Sequence, residues 1–192
     1  YVPFNDLEAM KQAITSDTVG ILLEAIQGEG GIQPANQEYI EGVAALCNEQ
    51  NLLLMFDEVQ CGMGRTGKLF AYQHYGVQPD IVTMAKALGG GFPIGAMLAK
   101  EKVATAFEYG NHASTFGGGD FVTGIALTCL EYLYAEDMLA HITQMGQLLL
   151  EQLQQLQMKY PDYILNVRGI GLMAGIVFAE SNTATKICHD PP

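Results

Sequence analysis

Two side chains in this sequence carry chemistry of a definite kind. Lys86 ends the run Ile81-Val82-Thr83-Met84-Ala85-Lys86, and Gly89-Gly90-Gly91 follows at once. An apolar setting disfavours the charged form of a lysine, and a neutral amine is a nucleophile that condenses with carbonyl groups. The glycines allow backbone to approach a bulky ligand closely. The second group, Asp57, stands 29 residues earlier at the end of Leu52-Leu53-Leu54-Met55-Phe56-Asp57-Glu58-Val59-Gln60.

Both groups need an element to present them. The run before Asp57 is continuously apolar, the pattern of a central parallel strand buried on both faces. Asp57 then lies at the carboxyl end of that strand, the edge where open α/β sheets bind ligands. A lysine that can hold an aldehyde, near a carboxylate that can keep a ring nitrogen protonated, is a pair that pyridoxal phosphate chemistry uses.

The remaining elements are consistent with such a sheet. Asn5 or Asp6 can cap a helix from Leu7 to about Thr15. Val19–Ala25 reads as a buried strand, 27–34 as a loop, and Gln37–Gln50 as an amphipathic helix with Tyr39, Ile40, Val43, Leu46 and Cys47 inward. A glycine-rich loop, 60–67, leads to a short helix over Lys68–Tyr75. Asp80–Met84 and Ile94–Ala99 are strands, the second following without a helix and therefore a candidate antiparallel strand. Phe121–Tyr134 and Met138–Tyr160 are long helices. A new strand begins near Arg168 and runs to Phe178. Strands alternating with helices predict an α/β layer.

Composition narrows the function classes. The chain has 192 residues, 49% hydrophobic and 16% charged, with a net charge of −12. Such a balance supports a globular core and argues against nucleic acid or an anionic membrane as partner. Cys47, Cys61, Cys129 and Cys188 are scattered, which predicts reduced thiols and no zinc site. The four histidines show no paired metal spacing. There is no signal-peptide pattern and no apolar run of about 18 residues. A cytoplasmic location is the expectation. The opening at Tyr1 and the close at Pro192 read as a fragment cut at both ends.

In order along the chain stand Glu24-Ala25-Ile26-Gln27-Gly28-Glu29-Gly30-Gly31, Phe56-Asp57-Glu58-Val59-Gln60, Gly62-Met63-Gly64-Arg65-Thr66-Gly67, Ala85-Lys86-Ala87-Leu88-Gly89-Gly90-Gly91 and His112-Ala113-Ser114-Thr115-Phe116-Gly117-Gly118. With these five segments the chain resembles the class III pyridoxal-phosphate-dependent aminotransferases, up to about Glu180. The resemblance implies an α/β fold: part of a fold type I large domain, a mostly parallel sheet flanked by helices, over 1–138. It implies a linking helix and the start of a small C-terminal α+β domain over 139–192.

It implies pyridoxal 5'-phosphate as cofactor. Lys86 becomes the Schiff-base lysine and proton carrier, and Asp57 the partner of the ring nitrogen. Val59 packs on the ring, Gln60 bonds its phenolic oxygen, and Thr115 donates to the phosphate, in this family usually from the neighbouring subunit of a homodimer. Glu58 belongs to the same cofactor motif, although its type also suits a loop or salt-bridge residue. Ser114 and Glu29 fall on the substrate side, Glu29 as a gate whose arginine partner is expected beyond Pro192.

Arg65 reads as locking its glycine loop and Arg168 as structural. Departures from the family pattern are Ala25 for proline, Ala87 for glycine, and Gly119-Asp120 for Asn-Pro. The implied reaction moves an amino group from N-acetylornithine to 2-oxoglutarate. Ornithine, succinylornithine or 4-aminobutyrate are alternative donors, and a non-catalytic piece without cofactor is the alternative of another kind.

Overall fold

The computed structural model describes residues 1–135 and 137–179. Helix α1 (Leu7–Ala13) starts at Asp6, whose carboxylate accepts the Ala9 N–H at 2.8 Å, a side-chain N-cap. Strand β1 (Gly20–Leu23) follows, then a small antiparallel hairpin of β2 (Ile26–Gln27) and β3 (Gln33–Pro34). Helix α2 (Gln37–Gln50) covers the expected span and stops at Asn51, which takes the left-handed conformation suited to a helix end. Next come β4 (Leu53–Asp57), a 3₁₀ turn over Ala71–Tyr75, β5 (Ile81–Met84), a second 3₁₀ turn over Lys86–Gly89, and β6 (Ala96–Ala99). The C-terminal part holds α3 (Glu101–Ala104), α4 (Asp120–Tyr134), α5 (Met138–Lys159) and the antiparallel pair β7 (Ile164–Ile170) and β8 (Met173–Phe178).

The main sheet runs β1-β4-β5-β6. The first three strands are parallel and β6 is antiparallel to β5, as the missing helix before it predicts. Register pairs Ile21 with Leu54, Leu23 with Phe56, and Phe56 with Val82. These residues lie on one buried face, where Ile40, Val43 and Leu46 of α2 and Tyr75 cover Ile21, Leu23, Leu54 and Phe56, and Val82 packs with Met63 and Phe70. A fully buried side chain of this size contributes about 1.5–3 kcal/mol.

The other face differs from expectation. Leu22, Met55, Asp57 and Thr83 alternate with the buried set and are exposed or half-buried. Among the described residues the sheet is therefore covered on one face, where the apolar runs predicted two. Residues 164–178 differ too. They form two strands reversing at Gly171-Leu172, because Gly171 has φ 59° and provides the turn. The span read as a loop at 27–34 contains the β2–β3 hairpin. No helix among the described residues is long and apolar enough to cross a membrane.

Asp80 fastens the amino ends of β4 and β5 to the carboxyl end of β6. Only 7% exposed, it accepts the Leu54 N–H at 3.0 Å and sits 3.2 and 2.8 Å from the Lys100 and Lys102 ammonium groups. Burial pushes its pKa up, but Lys102, the Leu54 N–H and Lys100 outweigh burial and hold it below the usual carboxylate value. The lysines are 45% and 63% exposed, so the ion pairs themselves add little. Replacing Asp80 with Ala leaves a buried N–H without acceptor and is expected to cost about 1–3 kcal/mol in urea unfolding. A depressed folded pKa means this stabilisation is complete above about pH 4. It is lost as pH falls through the folded value. Asp80→Asn should flatten that part of the acid-unfolding profile.

Candidate active site

The site is built at the carboxyl edge of β4 and β5. Asp57 ends β4 on the open face, where register sets it beside Thr83. Its Oδ1 accepts the Val59 N–H at 2.9 Å and the Thr83 hydroxyl at 3.4 Å. Those two bonds orient the carboxylate, and no described residue donates to Oδ2. A cavity of about 470 Å³ borders this edge, with Leu22, Glu24, Gln27 and Asp57 in its lining.

Lys86 follows β5 by two residues and begins the second 3₁₀ turn. Its φ of 45° is left-handed, a conformation that costs a non-glycine residue about 1–3 kcal/mol and is often found where function requires it. Val59, Gln60, Arg65, Lys86 and Ala87 line a second cavity of about 260 Å³. The lysine is exposed, so the described residues do not supply the apolar enclosure expected for it.

Gln60 ties this cavity to the loop after β2: its amide donates to the Glu29 carboxylate at 2.8 Å. That loop is pinned at its base, where the Tyr75 hydroxyl lies 3.2 and 3.1 Å from the Ala25 and Ala35 carbonyls. Burial pushes the Tyr75 phenol up to about 12, so it stays a donor. On the far side Arg168 Nε donates to the Gly31 carbonyl at 2.8 Å. A Cβ at Gly28 would displace the Gln60 amide.

Glu58 is a correction. Grouped with the cofactor motif in the sequence, it lies in the interior, 1% exposed. Successive residues of a strand point to opposite faces, so if Asp57 faces the open side, Glu58 must face the core. There Oε1 accepts the Tyr72 N–H at 2.9 Å. Oε2 accepts the Ala71 N–H at 2.9 Å and the Cys61 thiol at 3.1 Å. Burial raises the Glu58 pKa against the pull of those donors. Burial also raises the Cys61 thiol, with Glu58 adding to it, which makes this cysteine a structural donor and no nucleophile. Cys47, Cys61 and Cys129 are free thiols, and Cys188 lies outside the described residues.

Arg65 takes part in its loop through its backbone. Its loop is locked by backbone bonds, Arg65 N–H to Gly62 O at 3.3 Å, Gly67 N–H to Gly64 O at 2.9 Å and Leu172 N–H to Arg65 O at 3.0 Å. Its guanidinium has no partner among the described residues. Ser114 and Thr115 are not brought to the other groups. They sit on an exposed segment, where Ser114 Oγ accepts the Gly117 N–H at 3.2 Å. The sequence reading missed Leu172, Met173, Ala174 and Ile32, which complete the lining of the Lys86 cavity. The Gly169 and Gly171 turn signal was the one clue to the first three.

Residues 3–191 match the family described as Aminotransferase class-III. The match runs past the point near Glu180 where the resemblance read from residues stops. The chain belongs to the class-III aminotransferase family. It is 50% identical over 177 residues to an acetylornithine aminotransferase of Methanocaldococcus jannaschii, covering 91% of this chain and 44% of that protein. Among solved structures it is similar to the N-acetylornithine aminotransferase of Stenotrophomonas maltophilia, at 39% identity and TM-score 0.82, covering 94% of this chain and 47% of that one. It is also similar to ornithine delta-aminotransferase of Plasmodium falciparum, at 37% identity and TM-score 0.89, covering 97% and 50%. The chain thus spans about half the length of the proteins it matches or less.

Glu58→Gln tests the interior assignment. Both carboxylate oxygens accept a backbone N–H, and a glutamine must turn its NH₂ against one of them. A stability loss of about 1–3 kcal/mol is expected from thermal unfolding. An unchanged melting temperature would contradict the anchoring role.

Proposed function

We propose that the protein of which this chain is a part is a pyridoxal-phosphate-dependent transaminase that moves an amino group from N-acetylornithine to 2-oxoglutarate, a step of arginine biosynthesis. The observation that carries the reading is the arrangement at the sheet edge. Asp57 is oriented by Val59 and Thr83 with one oxygen left over, and Val59 and Gln60, just beyond Glu58, line a cavity with Lys86. This fits the cofactor, since an oriented carboxylate with an unbonded oxygen can accept from a ring N–H, and a lysine just after the neighbouring strand can hold an aldehyde. When bound, pyridoxal phosphate supplies the electron sink for ionising the donor's Cα–H bond.

The chain's own groups divide the remaining work. Asp57 holds the proton on the ring nitrogen, and Val59 excludes water from one ring face. Gln60 donates to the phenolic oxygen. The Lys86 amine would hold the cofactor aldehyde and, once freed, would serve as the base and acid that moves the donor's Cα proton. Glu29, held by Gln60, and Ser114 meet the substrate.

Thr115 donates to the phosphate across a homodimer interface. Support for that comes from its exposed segment and from the apolar side chains around it, including Phe116, 89% exposed, and Phe121, since apolar patches of this kind mark interaction surfaces. Residues 1–138 are read as part of the cofactor-binding large domain. The span 139–192, whose β7–β8 pair forms its own sheet, is read as the linking helix and the start of the small domain. The cytoplasm is the proposed location.

Borohydride reduction of the full-length holoenzyme followed by peptide mapping is expected to label Lys86 alone. Label on Lys68 or Lys100 would sink the assignment. Asp57→Asn is expected to retain cofactor and lose on the order of a hundredfold in rate. Near wild-type turnover would refute its role. Thr115→Ala should weaken the cofactor and dimer together, because a ligand held by two subunits favours the dimer by linkage. Sedimentation with cofactor titration checks this, and affinity independent of dimer fraction would overturn it.

A further inference from the structure

One hydroxyl on the open face of the sheet stands where an apolar side chain would serve the packing as well. Register places Leu22 beside Met55, Met55 beside Ile81, Asp57 beside Thr83 and Thr83 beside Met97. Among these residues only Asp57 and Thr83 are polar. Threonine and valine have the same branched shape, and both suit a strand. The hydroxyl is therefore the one feature of Thr83 that the sheet does not require. Its partner among the described residues is Asp57 Oδ1, at 3.4 Å. That distance is long for a bond between two oxygens, and bonds of this kind tighten once a ligand is bound.

Thr83 also sits at a junction. Its carbonyl accepts the Glu58 N–H at 2.9 Å, so main chain and side chain both hold the end of β4. Three residues on, the same strand delivers Lys86. Thr83 thus joins the carboxylate to the strand that carries the amine. The Asp57 carboxylate turns on a broad torsion. With the Val59 N–H as sole donor to Oδ1 it can swing. With the hydroxyl as second donor, Oδ2 keeps one direction.

We propose that Thr83 is a positioning residue for the amino-group transfer: its hydroxyl aims the free oxygen of Asp57 at the cofactor's ring nitrogen and keeps the shared proton on that nitrogen. The proposal rests on the transaminase reading above and adds a residue that acts through Asp57. Donors to a carboxylate favour its charged form. With Val59 and Thr83 both donating, Asp57 competes less for the proton it shares, and the nitrogen retains it. A protonated ring is the better electron sink. Loss of the hydroxyl therefore acts twice in the same direction, through aim and through charge.

The test uses the full-length holoenzyme with Thr83→Val, which keeps the shape and removes the hydroxyl, and Thr83→Ser, which keeps the hydroxyl. Nitrogen-15 NMR with cofactor labelled at the pyridine nitrogen reads the proton, and steady-state kinetics reads its effect. In Thr83→Val the nitrogen signal is expected to move toward the unprotonated position. Its kcat should fall on the order of tenfold, the worth of one hydrogen bond to a charged group. KM for the donor should stay within about twofold, and the melting temperature should not fall. Thr83→Ser should restore both the signal and kcat. In an Asp57→Asn background, Thr83→Val should cost nothing further, because the two changes remove one interaction.

A wild-type nitrogen signal and kcat in Thr83→Val would overturn the proposal. So would equal losses in Thr83→Val and Thr83→Ser, the mark of a packing role, or a loss in Thr83→Val that adds in full to that of Asp57→Asn. Each of these results, with a wild type that transaminates, leaves the functional reading intact. A wild type that transfers no amino group would remove that reading and this proposal with it.

Discussion

The pleat at the end of β4 is the constraint on which the site depends. Two acidic residues stand side by side there, and strand geometry must send them to opposite faces. Asp57 goes to the open face beside Thr83, while Glu58 goes into the core and captures the N–H groups of Ala71 and Tyr72. The buried acid is tolerated because both of its oxygens are satisfied. Its capture also fixes the Val59-Gln60 turn between two anchors. The Glu58 N–H bonds the Thr83 carbonyl at 2.9 Å, and the Gly62 N–H bonds the Glu58 carbonyl at 2.9 Å. One acid stays on the open face because its neighbour is spent on holding the strand end still.

Around that edge the chain gathers groups from distant segments. The β2–β3 hairpin carries Glu29 and Ile32, and its base is pinned by Tyr75 from the 3₁₀ turn that Glu58 anchors. Its tip is held from the other side by Arg168. A disturbance at Glu58 therefore reaches the loop that carries Glu29 through Tyr75, and one at the C-terminal hairpin reaches it through Arg168. This is how a site made of short loops keeps its shape: rigid strands supply the groups, and a few long-range hydrogen bonds hold the loops between them.

Much of this was legible in the sequence. Gln37–Gln50 shows its helical period, and Leu53–Asp57 its apolar run. Lys86 stands at the junction of a strand pattern and a glycine loop. The antiparallel turn of β6 follows from the absence of a helix before it. Glu58 was also legible, since counting from Asp57 with a period of two puts it inside. The family motif pulled it toward the cofactor instead. Other features were not legible. The left-handed Ile32, at φ 55°, has no propensity signal and is imposed by Arg168 and Gly175, more than a hundred residues later. The Leu172–Ala174 lining appears only once β7 and β8 fold back on each other. The exposure of one sheet face was hidden because continuous apolar runs look alike whether the second covering layer comes from the same segment or from elsewhere.

The central claim is that Asp57 faces the ring nitrogen of a bound cofactor while Glu58 does not. Nitrogen-15 NMR of the full-length holoenzyme, reconstituted with cofactor labelled at the pyridine nitrogen, reads that claim directly. A protonated nitrogen is expected throughout the neutral pH range in the wild type, with protonation lost in Asp57→Asn. An unprotonated nitrogen in the wild type, or a protonated one that survives in Asp57→Asn, would contradict the assignment of the two acids.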